Sequence, residues 1–109
     1  MKTITKKPKY FRANTSVKRI DIDTKECFDK QAGNSYFSAV ITINDKYQIL
    51  LPFQYGYNGG QQETIEVLNK LNMINTFSNY DLMYTHNIKI SEYKQDNCLK
   101  RDVIQHGEL

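Results

Sequence analysis

The sequence predicts an α+β fold: a small antiparallel sheet of about three strands, centred on a hairpin over residues 36–53, with two or three helices packed on one face. Three observations carry this expectation. Residues 36–53 alternate apolar and polar in two runs separated by Asn44-Asp45-Lys46. Ile65, Leu68 and Leu71 then recur at helical spacing behind a glycine-rich loop. Phe77, Tyr80 and Tyr84 repeat that spacing further along the chain.

Taken in order, residues 1–15 read as a basic flexible arm. They are polar and cationic, Pro8 breaks any helix, and Tyr10-Phe11 is the apolar pair of note. In residues 16–23, Val17, Ile20 and Ile22 alternate among charges, the pattern of an edge strand. Residues 24–34 form a polar connection ending in the turn signal Ala32-Gly33-Asn34. Within the hairpin, Phe37, Ala39, Ile41 and Ile43 share one face, as do Tyr47, Ile49, Leu51 and Phe53 on the returning strand. Pro52 has no N–H to donate, so this strand lies at a sheet edge there or ends there.

Tyr55-Gly56-Tyr57-Asn58-Gly59-Gly60 is a loop free to take positive φ. A helix begins near Gln61 or Gln62 and stops between Asn72 and Asn75, with Val67 beside its apolar stripe. Glu63 and Glu66 lie early in it and Lys70 late, as its dipole favours. Thr76 or Ser78 can cap a short second helix bearing Phe77, Tyr80, Met83 and Tyr84. Ile88-Lys89-Ile90 is briefly extended, and Ser91 opens a polar final helix over residues 91–105, ended by His106-Gly107. Residues 16–109 therefore read as a single α+β domain.

Charge is unevenly spread. Residues 1–20 carry Lys2, Lys6, Lys7, Lys9, Arg12, Lys18 and Arg19 and no acid, whereas the rest of the chain sets eight cations against all twelve acids. The net charge of +3 hides a basic segment on a mildly acidic domain. That asymmetry implies a polyanionic partner or an acidic patch on another protein. Lys6, Lys7, Lys9 and Arg12 surround Tyr10 and Phe11, so cations are interleaved with rings, a combination that follows a phosphate backbone and stacks on bases. A solvated tail that only aids solubility has the same composition. Eight Tyr and no Trp point to wet contact surfaces. Tyr55 and Tyr57 on the glycine loop, with Tyr36 on the outer side of the hairpin, fit a protein interface, or else cover the core.

No motif names a reaction. Gly-x-Gly-x-x-Gly, Gly-Lys-Ser/Thr, His-Glu-x-x-His and Cys-x-x-Cys are all missing, so the expectation is no enzyme, no cofactor and no metal. The glycine loop has the layout of an anion site, but residues 47–69 contain no Lys or Arg, and Glu63 and Glu66 stand where a phosphate would bind. His86 and His106 are isolated from further ligands, and a zinc site needs three or four. Asp21 and Asp23 share a strand face and can hold a metal or act in acid–base chemistry, with Lys18, Arg19 and Lys25 nearby to neutralise them. Cys27 and Cys98 are expected to be idle thiols in a reducing compartment. No run approaches the ~20 apolar residues that cross a bilayer, and the basic start lacks the apolar stretch of a signal peptide, so no membrane association is expected.

From Tyr36 onward the order of features resembles a loose group of small phage and prophage proteins. The matching stretches are Phe53-Gln54-Tyr55-Gly56, Glu66-Val67-Leu68-Asn69-Lys70-Leu71, Phe77-Ser78-Asn79-Tyr80, and the segment from Ser91 to Val103. Gln62-Glu63-Thr64 stands where that group commonly opens its first helix with Pro-Thr, and the basic arm is outside the pattern. The resemblance implies a mobile-element origin and an inhibitor of a host defence complex, of the anti-CRISPR kind, acting in the host cytoplasm. Such a protein would bind a bacterial protein or ribonucleoprotein and block nucleic-acid access. Its contacts would come from Lys6, Lys7, Lys9, Tyr10, Phe11, Arg12, Lys18, Arg19, Tyr55 and Tyr57. The alternative is an accessory protein that binds DNA or RNA non-specifically through the arm. An edge strand also permits a homodimer.

Overall fold

A computed structural model describes residues 1–108. The chain runs β1 (Lys2–Thr3), β2 (Arg19–Asp29), β3 (Asn34–Ile43), β4 (Tyr47–Tyr55), α1 (Gly60–Lys70), a single π-helical turn (Asp81–Thr85), β5 (Lys89–Gln95) and α2 (Lys100–His106). The strands form one sheet in the order β1-β4-β3-β2-β5. The three central strands are antiparallel, while β1 and β5 each lie parallel to their neighbours. The α+β class holds, but the sheet is mixed and has five strands rather than about three.

The hairpin forms where the alternation places it. Lys46 N–H donates to Ile43 C=O at 3.0 Å, and Asn44 and Asp45 take φ of +57° and +55°. Asn and Asp tolerate this left-handed backbone, which matches the twist of paired strands. The Asn44 side chain also accepts N–H bonds from Lys18 (2.7 Å) and Arg19 (3.1 Å) and donates to Ser16 C=O (2.8 Å). It thereby pins the entry of β2 to the hairpin tip.

One sheet face is dry. Ile20, Ile22, Ala39, Ile41, Ile43, Ile49 and Leu51 meet Ile65 and Leu68 of α1, and Met73, Ile74, Leu82 and Ile88 close the core around them. Ser38, out of phase with Ala39 and Ile41, points to the opposite face, where its hydroxyl donates to Val103 C=O of α2 at 2.5 Å. The helices thus cover two faces of the sheet, not one. α2 shields the Ser38 end of the second face and leaves Asp21, Asp23, Val40, Thr42, Ser91 and Tyr93 along an open groove.

Four further expectations are corrected. Residues 1–15 do not stand off as an arm. Ile4 N–H donates to Gln48 C=O at 2.8 Å, and Ile4 and Phe11 belong to the main core. β2 is an interior strand that continues to Asp29 through the stretch expected to be a polar connection, because buried Thr24 and Glu26 find polar partners on distant segments. The final helix over residues 91–105 is instead β5 followed by the short α2. An edge strand tolerates the charges of β5, which a helix reading mistakes for a solvated face. Likewise the aromatic repeat at 77–84 turns outward: only Leu82 of the π turn is buried, while Phe77, Tyr80, Met83 and Tyr84 are exposed.

Candidate functional site

The strand registers gather positive charge at one end of the sheet. Lys2 lies opposite Tyr47 at the start of β4, and Arg19 opposite Lys89 at the start of β5. Lys46 shares this end through Lys2 N–H, which donates to Lys46 C=O at 3.1 Å. Among the described residues, Lys2, Lys6, Lys7, Lys9, Arg12 and Lys18 have no carboxylate within 4.0 Å. Arg19 differs: its Nε lies 2.8 Å from Asp21 Oδ2, and that hydrogen bond and charge hold the guanidinium above its ordinary pKa. Arg19 is therefore already committed.

The basic segment is a shaped loop. After β1 it curves round a concave cleft of about 460 Å³ lined by Lys2, Thr5, Lys6, Lys7, Lys9 and the Tyr47 ring. A tight turn then runs from Pro8 to Phe11, closed by Phe11 N–H to Pro8 C=O at 3.1 Å. Tyr10 occupies the third position with φ of +66°. That position of a type II turn ordinarily takes Gly or Asn, and a side chain there costs about 1 kcal/mol. Phe11 beyond it is 7% exposed, and its ring meets Tyr47 edge-on at 6.3 Å. Tyr10 is 88% exposed, with Lys9 Nζ 5.3 Å from its ring centre. The two neighbouring rings thus have opposite fates. Phe11 anchors the loop and cannot touch a ligand; Tyr10 can.

Asn14 ties the far side of the loop down. It is buried, accepts Asn75 N–H at 3.0 Å, donates to the Asn75 side chain, and lies 3.2 Å from His86 Nε2. Its backbone N–H reaches Met73 C=O at 3.0 Å. The segment that carries the cations is therefore fixed at both ends.

Tyr55 and Tyr57 lie elsewhere. β4 separates Tyr55 from Tyr47 by eight steps of about 3.3 Å, roughly 26 Å in a molecule whose longest dimension is 45 Å, and Tyr57 lies two residues beyond the strand. Tyr55 packs edge-on against Tyr36 at 6.0 Å, and Tyr36 stacks on Phe53 at 5.0 Å. The expected contact residues are consequently two sites, one at each end of the sheet, with Phe11 in neither.

Sequence reasoning missed an exposed aromatic patch. Tyr80 and Tyr84 rings lie 4.5 Å apart beside exposed Phe77 and Met83. The available signal was Leu82, the residue in that stretch whose burial leaves the repeating rings on the other side. A cleft of about 360 Å³ runs from Phe77 to the start of α1, lined by Asn58, Gln61, Gln62, Glu66 and Asn79.

The candidate catalytic groups are dispersed. Asp21 pairs with Arg19, while Asp23 presents its backbone C=O to His106 Nε2 at 2.7 Å. Among the described residues, no group of three or more His, Cys, Asp or Glu is placed to hold a metal. Cys27 and Cys98 are unbridged, and burial pushes the Cys27 thiol up in pKa, which keeps it protonated and a poor nucleophile. The glycine loop faces acids: Asn58 N–H donates to Glu26 at 3.0 Å, and a Cβ at Gly60 would lie 2.9 Å from Glu92 Oε2. Lys94 also reaches this loop, but its charge is already shared between Glu26 and Asp96. Comparison with protein-family models, curated proteins and solved structures finds no match to this chain.

Proposed function

We propose that this protein works by non-covalent binding, and that its basic end holds the phosphate backbone of a nucleic acid. The observation that carries the reading is that Lys2, Lys6, Lys7 and Lys9 line one cleft of the folded N-terminal segment, which also carries Arg12 and Lys18, all without carboxylate partners among the described residues. Holding like charges together on an ordered surface is repulsive, and bound phosphates relieve that repulsion while releasing their own counterions. Affinity should therefore fall steeply with salt. Anisotropy of a labelled oligonucleotide across a salt series tests this. A slope of log affinity against log salt that flattens when Lys6 and Lys7 become Gln supports it; no retention at low salt removes it.

A second reading is favoured by the patch of Phe77, Tyr80, Met83 and Tyr84, whose aromatic character suits a protein partner. In that reading the protein is a phage- or mobile-element-encoded inhibitor of a host defence complex in the host cytoplasm. The patch grips a bacterial protein, and the bound chain, with its basic end, blocks nucleic-acid access to that complex. Capture of one bacterial protein from lysate, surviving nuclease treatment and lost on Tyr80→Ala with Tyr84→Ala, is the expected result. No helix is long and apolar enough to cross a membrane. β5 leaves an open sheet edge for a second copy, although Lys89, Glu92 and Lys94 put charge on it, a usual defence against strand addition.

A further inference from the structure

We infer that the basic end takes single-stranded rather than duplex nucleic acid, with Tyr10 as the platform on which one base stacks. The inference rests on the phosphate-binding reading above and adds a strand preference that charge alone does not give.

Tyr10 is an unusual choice for its place. The turn demands left-handed backbone at this residue, and glycine or asparagine would meet that demand with less strain. The ring gains almost nothing from burial in return, since it lies in solvent. A strained residue with no packing reward in the free protein points to a contact made with something else. Its setting is also pre-organised. Phe11 is locked in the core and Asn14 is tied to Asn75, so the turn is held on its C-terminal side, and little freedom remains to be lost when a ligand arrives.

The chemistry around the ring selects the ligand. Lys9 lies over Tyr10, Lys6 and Lys7 precede it along the cleft, and Arg12 follows. A ring flanked by cations matches a chain in which a phosphate follows every base. In a duplex both faces of each base are covered by neighbours, so an exposed ring finds nothing to stack on. In a single strand the base faces are free, and stacking proceeds without reading sequence. DNA and RNA share this chemistry, so both are probed.

The test is anisotropy with labelled oligothymidylate, oligouridylate and a duplex of equal phosphate count, using the full chain at fixed salt. Single strands should bind more tightly than the duplex. Tyr10→Gly should weaken single-strand binding roughly tenfold. The same variant should leave duplex binding and the salt slope unchanged, and should raise the melting temperature, so that unfolding is not the cause. Tyr10→Phe should retain wild-type affinity. Salt-sensitive binding that is equal for both forms and indifferent to Tyr10→Gly overturns the stacking inference and leaves the phosphate reading standing. Failure of every probe to bind at low salt overturns both.

Discussion

At the Tyr47 end of β4, Lys2, Lys6, Lys7 and Lys9 are open, whereas at the Tyr55 end Lys94 and Lys100 are bound into the structure. Lys94 shows the second arrangement. Its Nζ lies 3.4 Å from Glu26, 3.2 Å from Asp96 and 5.1 Å from the centre of the Tyr57 ring, and it also contacts the Asn58 side chain. Burial lowers its tendency to stay charged, but the hydrogen bonds and charges of Asp96 and Glu26 outweigh that and raise its pKa. Lys100 similarly lies 4.0 Å from Asp29 and 5.9 Å from the centre of the Phe53 ring. Lys6 and Lys7 have no such carboxylate among the described residues. The difference teaches that Lys94 compensates a buried acid, whereas Lys6 and Lys7 form no ion pair among the described residues. Only the open ones are available to a ligand.

The largest effect that could break this comparison lies under the basic end itself. Phe11→Ala should cost about 3 kcal/mol, because it empties a core position that holds the cationic loop on the sheet. Tyr10→Ala, one residue away, should change stability by no more than about 0.5 kcal/mol. Chemical denaturation of both variants measures this. If Phe11→Ala were as mild as Tyr10→Ala, the loop would be a tail after all, and its fixed shape would explain nothing.

Next in size is the contrast between the two kinds of lysine. Glu26 has a side chain only 7% exposed and already accepts Asn58 N–H, so Lys94→Met leaves its charge without its cation. The expected loss is about 2 kcal/mol, less than for a fully buried pair because Lys94 is itself about a fifth exposed. Lys6→Met should stay within about 0.5 kcal/mol. Oligonucleotide binding should respond in the opposite sense: weakened by Lys6→Met and untouched by Lys94→Met. Equal losses of stability would erase the distinction between structural and ligand-facing cations.

The same contrast marks what could be read from the chain. The hairpin and α1 were legible because their apolar residues close against near neighbours in sequence, at spacings of two and of three to four. The second half of β2 was not. Thr24 and Glu26 interrupt its apolar alternation, and the groups that satisfy them, Glu92, Asn58 and Lys94, come from distant segments. β5 was hidden for a related reason: it pairs in parallel with β2, far away in the chain, and keeps the polar composition an edge allows. At the basic end the cations were plain from composition. Which of two adjacent rings faces the solvent was not, since that depends on the Pro8–Phe11 turn and on Tyr47 waiting beneath it.

The smallest expected effect concerns Asp81, an acid in the loop that Asn14 and His86 join to the basic segment. It is turned toward its own loop instead of the cations. Hydrogen bonding from Thr85 and Thr76 and the charge of His86, whose Nε2 lies 3.6 Å away, hold its carboxyl below the usual value, partly opposed by burial. A carboxylate whose pKa is lower folded than unfolded stabilises the protein fully above the unfolded value of about 3.9, and that stabilisation fades as pH falls through the folded value. Wild-type protein should therefore lose melting temperature more steeply below about pH 4 than Asp81→Asn. The side chain is 38% exposed, so the gap should be small and should shrink with added salt. Parallel slopes for the two proteins would mean that Asp81 is not held by its loop, and that it is free to swing toward the lysines and neutralise part of the basic end.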